Sequence, residues 1–66
     1  MKITVNGKPY DCPQAYSVLD LLNGMQIPAD RVAIVLNDDV ISPKRIGYIM
    51  LREGDNVEML TLAAGG

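Results

Sequence analysis

The chain has 66 residues, a hydrophobic fraction of 48% and a formal net charge of −2, values that predict one small folded domain rather than a disordered segment. Its six basic residues are scattered, apart from the adjacent Lys44 and Arg45, which argues against a nucleic-acid-binding surface. With no histidine and a single cysteine, the sequence excludes an intrachain disulfide, the ligand spacing of a zinc site and the histidine base that usually activates a Ser or Cys nucleophile.

The amino-terminal segment does not resemble a secretion signal. Residues 1–5 lack the long apolar run that such a signal carries. No stretch of the chain approaches the roughly 20 apolar residues that a membrane-spanning helix needs. We therefore expect a cytoplasmic protein that does not insert into a membrane.

A β-hairpin is predicted at the start of the chain. Apolar and polar residues alternate over 2–6, as they do in a half-buried strand. Asn6 and Gly7 supply the two positive-φ positions of a type I′ turn, so residues 8–12 are expected to pair back as a second strand. Because Pro9 has no backbone donor, we expect the second strand to lie at an edge of the sheet.

A short helix is predicted over residues 17–25, where five apolar side chains recur at helical spacing. Ser17 is a suitable N-cap, and Asp20 stands three residues later, which is a variant of the capping box. Gly24 and Pro28 mark the exit from the helix.

The second half of the chain contains the remaining predicted strands. Residues 32–36 are apolar and mostly β-branched, which is typical of a strand with apolar groups on both faces. A turn is predicted at 37–39, and a short strand at 40–41. Residues 44–51 fit either one helical turn or a short strand. The last strand is predicted over 57–62.

This order of elements, β-β-α-β-β-β with a short fourth strand, predicts the α+β class. A helix lying on one face of a single sheet is the only layered arrangement that so small a chain can fill. The first and last strands can lie side by side in parallel, because the helix supplies the crossover between them. We therefore expect a mixed sheet packed on one short helix.

The chain ends in Gly65-Gly66. Two glycines have no side chains and almost no conformational preference, so they add nothing to a core. They can, however, enter a narrow channel and present the terminal carboxylate to another protein. We expect a single domain over residues 1–66, with a flexible tail made of Ala63, Ala64, Gly65 and Gly66.

Features along the whole chain together resemble one known family. They are the Asn6-Gly7 turn, Cys12 before the helix connection, segments 17–22, 35–37, 40–43 and 53–58, and the terminal Gly65-Gly66. This combination resembles the ThiS family, the small sulfur carrier proteins of thiamine biosynthesis, which have the ubiquitin-like β-grasp fold. The small subunit of molybdopterin synthase shares the fold and the ending, and is the alternative. Its chains often carry proline before the glycines, whereas residues 60–64 contain none, which favours the thiamine branch.

The resemblance implies a protein cosubstrate rather than an enzyme. An E1-like adenylyltransferase (ThiF-like) is expected to join the Gly66 carboxylate to AMP, using ATP and a metal ion that the carrier itself does not bind. Sulfur from a donor such as a cysteine desulfurase then gives a C-terminal thiocarboxylate, which delivers it to thiazole synthase (ThiG-like). A hypothesis of a different class is a non-catalytic, ubiquitin-like interaction or modifier module.

Two further parts of the chain have an expected role. Cys12 has no adjacent Lys, Arg or His to lower its pKa, and we expect a small buried residue.

Leu60, Leu62 and Glu58 share one face of the last strand, opposite the face that the helix covers. We expect this open face to be the partner interface. The alternative is that self-association or the 44–51 segment covers it.

Overall fold

The computed structural model describes residues 1–62, and within this range five strands and one α-helix form a two-layer domain. The strands are β1 (Lys2–Val5), β2 (Lys8–Asp11), β3 (Val32–Leu36), β4 (Asp39–Ile41) and β5 (Asn56–Thr61), and the helix is α1 (Val18–Gly24). Short 3-10 helices occupy Ala29–Arg31 and Pro43–Arg45. The strand order is β2-β1-β5-β3-β4, with β1 and β5 parallel and the other neighbouring pairs antiparallel. The predicted α+β fold with a mixed sheet is confirmed.

The first hairpin turns as its sequence predicts. Asn6 and Gly7 have φ values of 50° and 81°, the positive values that a type I′ turn requires. Pro9 lies opposite Thr4, at a position between the hydrogen-bonded pairs of the hairpin, so its nitrogen faces away from β1. Since β2 is the first strand in the sheet order, the predicted edge position of the proline strand is confirmed.

A second tight turn joins β3 to β4. Asn37 and Asp38 have φ values of 49° and 73°, which again fit a type I′ turn. The turn is therefore two residues long, and Asp39 already belongs to β4, whereas the sequence predicts a turn over 37–39. Asn and Asp tolerate this left-handed conformation better than other non-glycine residues.

The helix is fixed by its N-terminus and by one buried face. Ser17 caps it: its Oγ accepts from the Asp20 backbone N–H at 3.0 Å, and the Asp20 carboxylate accepts from the Ser17 N–H at 3.0 Å. The predicted capping box is thus present. Three side chains of α1 are buried, Val18, Leu21 and Leu22. They form one core with buried residues of the sheet and loops, namely Ile3, Val5, Cys12, Val32, Ile34, Ile41, Ile46, Leu51, Val57 and Met59.

The 44–51 segment is neither a full helix nor a strand of the sheet. After the 3-10 helix Pro43–Arg45 it runs past the start of α1, where the Ile49 and Ile46 carbonyls accept from the first helical N–H groups, both at 3.0 Å. Ile46 and Leu51 are buried. Local sequence periodicity leaves this segment ambiguous because hydrogen bonds to the helix terminus decide its path.

Membrane insertion through a helix has no support in the part of the chain that the structure describes. None of its helices has the length and hydrophobicity that crossing a lipid bilayer requires.

Candidate functional site

Strand β5 is the middle strand of the sheet and leads directly toward the C-terminus. It lies between β1 and β3, so both of its edges are paired. Thr4 and Val5 of β1 lie beside its first residues in parallel register, and the whole of β3 pairs with it in antiparallel register. The first part of β5 is therefore paired with a strand on both sides, whereas Leu60 and Thr61, nearer the glycines, pair with β3.

The side chain of Asn6 extends the contact between β1 and β5 past the end of β1. The Asn6 backbone N–H donates to the Val57 carbonyl at 2.9 Å. Its carboxamide oxygen then accepts from the Met59 N–H at 2.7 Å. Asn6 therefore supplies a ladder hydrogen bond to β5 while its backbone makes the hairpin turn. The sequence around Asn6 predicts only the turn, because Met59, the partner of its side chain, lies 53 residues further along the chain.

A polar network fixes the turn that precedes β5. The Asn37 amide donates to the Asp55 carboxylate at 2.9 Å, and its oxygen accepts from the Asn56 N–H at 2.8 Å. Asp55 also accepts from the Arg52 N–H at 2.7 Å, and Glu53 accepts from the Lys2 N–H at 3.0 Å. The 53–56 motif therefore has a structural role, because its hydrogen bonds fix the residue at which β5 begins.

The face of β5 opposite the helix carries an exposed apolar patch. Val57 and Met59 are buried, so Glu58 and Leu60 alternate onto the open face. Leu60 lies opposite Ala33, and is 55% exposed. We call Ala33, Val35, Val40 and Leu60 the open-face patch. Its position agrees with the predicted exposure of Leu60, and it includes Val40, which sequence analysis did not single out.

One acidic side chain borders the open-face patch. Glu58 lies opposite Val35 across the sheet, and Val35 lies opposite Val40, which is 76% exposed. Asp39 precedes Val40 but alternates onto the other face, where it lies opposite Leu36. An exposed apolar surface with a carboxylate beside it is suited to a partner that presents apolar side chains with a basic residue next to them.

Leu62 lies in a different environment from Leu60. Strand β5 ends at Thr61, and Leu62 follows it with a side chain that is 51% exposed. Leu62 lines an apolar groove of about 180 Å³ at the end of the sheet, together with Ala29, Val32 and Ile46 and with Ala33 and Val40 of the open-face patch. The role of Leu60, Leu62 and Glu58 at a partner interface stays a prediction.

Cys12 is a core residue, as the sequence predicts. It is buried, and its carbonyl accepts from the N-terminal ammonium of Met1 at 2.6 Å. Burial raises the pKa of the Cys12 thiol, and the charges of Asp11 and Glu53 raise it further against a lowering by the N-terminal ammonium. A raised pKa leaves less thiolate at neutral pH, so Cys12 is poorly suited to nucleophilic sulfur chemistry.

A metal-binding site is not found among residues 1–62. In that range no group of three or more His, Cys, Asp or Glu side chains is arranged to hold a metal ion. The predicted tail residues, Ala63, Ala64, Gly65 and the reacting Gly66, lie outside the described residues.

Known proteins resemble the chain over its full length. The ThiS family model matches residues 3–66. Two relatives, both named uncharacterized protein ycf40, align over all 66 residues and 93% of their own length, with 32% identity in Pyropia yezoensis and 29% in Porphyra purpurea.

Solved structures show the same architecture. A crystal structure of the thiamine biosynthesis protein ThiS from Geobacter metallireducens superimposes with a TM-score of 0.87 at 32% identity, covering 100% of both chains. A solution NMR structure of a thiamine biosynthesis protein from the same organism gives 0.81 at 33% identity, covering 100% of this chain and 88% of that one. The fold is the ubiquitin-like β-grasp fold. The chain belongs to the ThiS family of small sulfur carrier proteins.

Proposed function

We propose that the chain is a sulfur carrier of thiamine biosynthesis whose Gly66 carboxylate is adenylated, converted to a thiocarboxylate and used for thiazole formation. The observation that carries this proposal is the family match over residues 3–66, which includes Gly65-Gly66. The central position of β5 supports it, because this strand leads to the C-terminal residues from the middle of the sheet.

The chemistry requires an activating partner. A terminal carboxylate has a pKa of about 3.5, so it is anionic at neutral pH and resists nucleophiles. An E1-like adenylyltransferase (ThiF-like), with ATP and a metal ion, solves this problem: the carboxylate attacks the α-phosphorus of ATP and pyrophosphate leaves. Sulfide then attacks the carbonyl carbon of the mixed anhydride and displaces AMP, which gives the thiocarboxylate. If a donor's persulfide attacks instead, a thiol has to reduce the resulting acyl disulfide to release the thiocarboxylate. Thiazole synthase (ThiG-like) is the proposed acceptor of the sulfur.

Tail dimensions fit this chemistry. Residues 63–66 span at most about 13–14 Å when fully extended, enough to pass from a protein surface into a nucleotide site. Gly65 and Gly66 add no side chain that would widen the chain near the reacting carbon. The carrier thus contributes the reacting group, and the partner contributes the catalysis.

The open-face patch is the proposed docking surface for the E1-like enzyme. Leu60 and Val40 are the most exposed members of the patch, with Glu58 beside them. Removing their apolar surface from water supplies affinity, and the carboxylate of Glu58 favours a partner with a basic residue at its rim. The patch lies on the same strand that leads to the tail, so docking there brings Gly66 to the partner.

ATP-pyrophosphate exchange by the E1-like enzyme tests this function, with the wild-type chain and Gly66→Ala compared. A methyl group beside the reacting carbon is expected to lower the exchange rate about 100-fold, because small displacements at a reacting centre have effects of that size. Ala63→Ser is the control, since it adds one atom to the tail far from the carboxylate and is expected to exchange at the wild-type rate. Equal rates for Gly66→Ala and the wild type would contradict the proposal.

The modifier hypothesis predicts a different product. Incubation with activating enzymes and candidate targets would then yield an isopeptide bond between Gly66 and a lysine of another protein. A thiocarboxylate without such conjugates supports the sulfur carrier.

A further inference from the structure

Leu62, the residue directly after the end of β5, is hydrogen-bonded to the domain through its backbone. Thr61 is the last residue of the strand and lies opposite Val32. Leu62 follows it, and its backbone N–H donates to the Arg31 carbonyl at 2.8 Å. The 3-10 helix Ala29–Arg31 therefore provides a backbone anchor for Leu62.

The side chain of Leu62 provides a second anchor. It forms one wall of the apolar groove of about 180 Å³, whose other walls include Val32 from β3 and Ile46 from the 44–51 segment. Both of these residues are buried in the core, so the groove is continuous with the rigid part of the domain. Leu62 is 51% exposed, so its contact with the domain removes about half of its surface from water.

We propose that Leu62 is a positioning residue that fixes the point at which the tail leaves the domain. This inference rests on the proposed function, because it matters only if the terminus reacts in a partner's site. It separates Leu62 from Leu60: Leu60 belongs to the docking surface, whereas Leu62 holds the chain to its own domain.

The anchor sets how far the reacting terminus can travel. With Leu62 held, four residues remain to bridge the distance to the partner's nucleotide site. Each residue released from the sheet adds up to about 3.3–3.6 Å of slack. A released residue also has to be ordered again in the reacting complex, which lowers the rate of adenylation roughly 5- to 30-fold for each such residue. Docking through Leu60, which does not line this groove, does not involve this step.

Loss of the anchor therefore has a specific kinetic signature. Leu62→Ala is expected to lower the kcat of adenylation about tenfold, and to leave the KM for the carrier unchanged. Leu60→Ala is the matched control, since it removes the same atoms from a leucine that is exposed to nearly the same degree, 55% against 51%. It is expected to raise KM and leave kcat unchanged. Leu62→Met, which keeps an apolar side chain of similar volume at this position, is expected to restore kcat.

Two measurements on the full-length chain test the inference. The first is hydrogen exchange of the backbone amide at position 62 in the isolated carrier, which needs no partner. Faster exchange in Leu62→Ala than in the wild type or Leu62→Met supports the anchor. Unchanged exchange overturns it. The second is steady-state adenylation at a temperature where every variant is folded by circular dichroism. A KM effect in Leu62→Ala, or an unchanged kcat, overturns the positioning role. A wild-type chain that is never adenylated overturns the proposed function instead, while the amide exchange still reports on the anchor.

Discussion

Asn6 shows how one side chain can serve two parts of the fold. Its backbone takes a φ of 50° to close the first hairpin, and its carboxamide accepts from the Met59 N–H on β5. Glycine would satisfy the turn but leave that N–H without this partner. Aspartate would keep both the acceptor and a tolerance for the left-handed region.

Replacing Asn6 separates these two contributions. Asn6→Gly is expected to lower the free energy of unfolding by about 1 kcal/mol more than Asp38→Gly does, because the net value of one hydrogen bond is lost. Asp38 is a suitable control: it has a φ of 73° in the other hairpin, and both replacements raise the entropy of the unfolded chain alike. Urea denaturation measures the difference. Equal losses in the two variants would show that the carboxamide contributes nothing, and Asn6→Asp should remain close to the wild type.

Strands and helix were predictable where their signals are local. Turn residues, alternation and the capping box located each strand and the helix to within one residue of the observed ends. The 44–51 segment was not predictable, because carbonyls of Ile46 and Ile49 are fixed by the start of α1. The same limit applies to the site: the exposure of Leu60 follows from strand alternation, but the groove that Leu62 lines requires segments from three parts of the chain.

Opposite faces of β5 are expected to respond differently to the same substitution. Leu60→Asp is expected to leave the unfolding midpoint nearly unchanged and to weaken binding to the E1-like enzyme at least tenfold, as for a central apolar contact. Met59→Asp, one residue away on the buried face, is the control and is expected to unfold the domain, since it buries an unpaired charge. Isothermal titration calorimetry and thermal melts check both. If Leu60→Asp unfolds as readily, Leu60 belongs to a core rather than to a docking surface.

At the scale of the molecule, the proposed function makes the domain a holder for the terminus that reacts. A helix with three buried side chains covers one face of the sheet, and Leu60 and Val40 are exposed on the other. Cys12, the single cysteine of the chain, is part of the core. Sulfur is therefore expected on the C-terminal carbonyl rather than on a thiol.

Exact mass of the chain after reaction with the E1-like enzyme, ATP and a sulfur donor tests this account most directly. Replacement of one carboxylate oxygen by sulfur adds about 16 Da, close to the gain from oxidising one of the four methionines. The two products differ by only about 0.02 Da, so high-resolution mass spectrometry of the C-terminal peptide is needed. A persulfide on Cys12 would instead add about 32 Da.

If the chain is a sulfur carrier, one oxygen of the Gly66 carboxylate is replaced by sulfur in the wild type and to the same extent in Cys12→Ala. The gain of sulfur is also expected to depend on ATP and to form about 100-fold more slowly in Gly66→Ala. Sulfur found on Cys12, or a C-terminal peptide that keeps its unmodified mass under these conditions, would contradict the sulfur carrier.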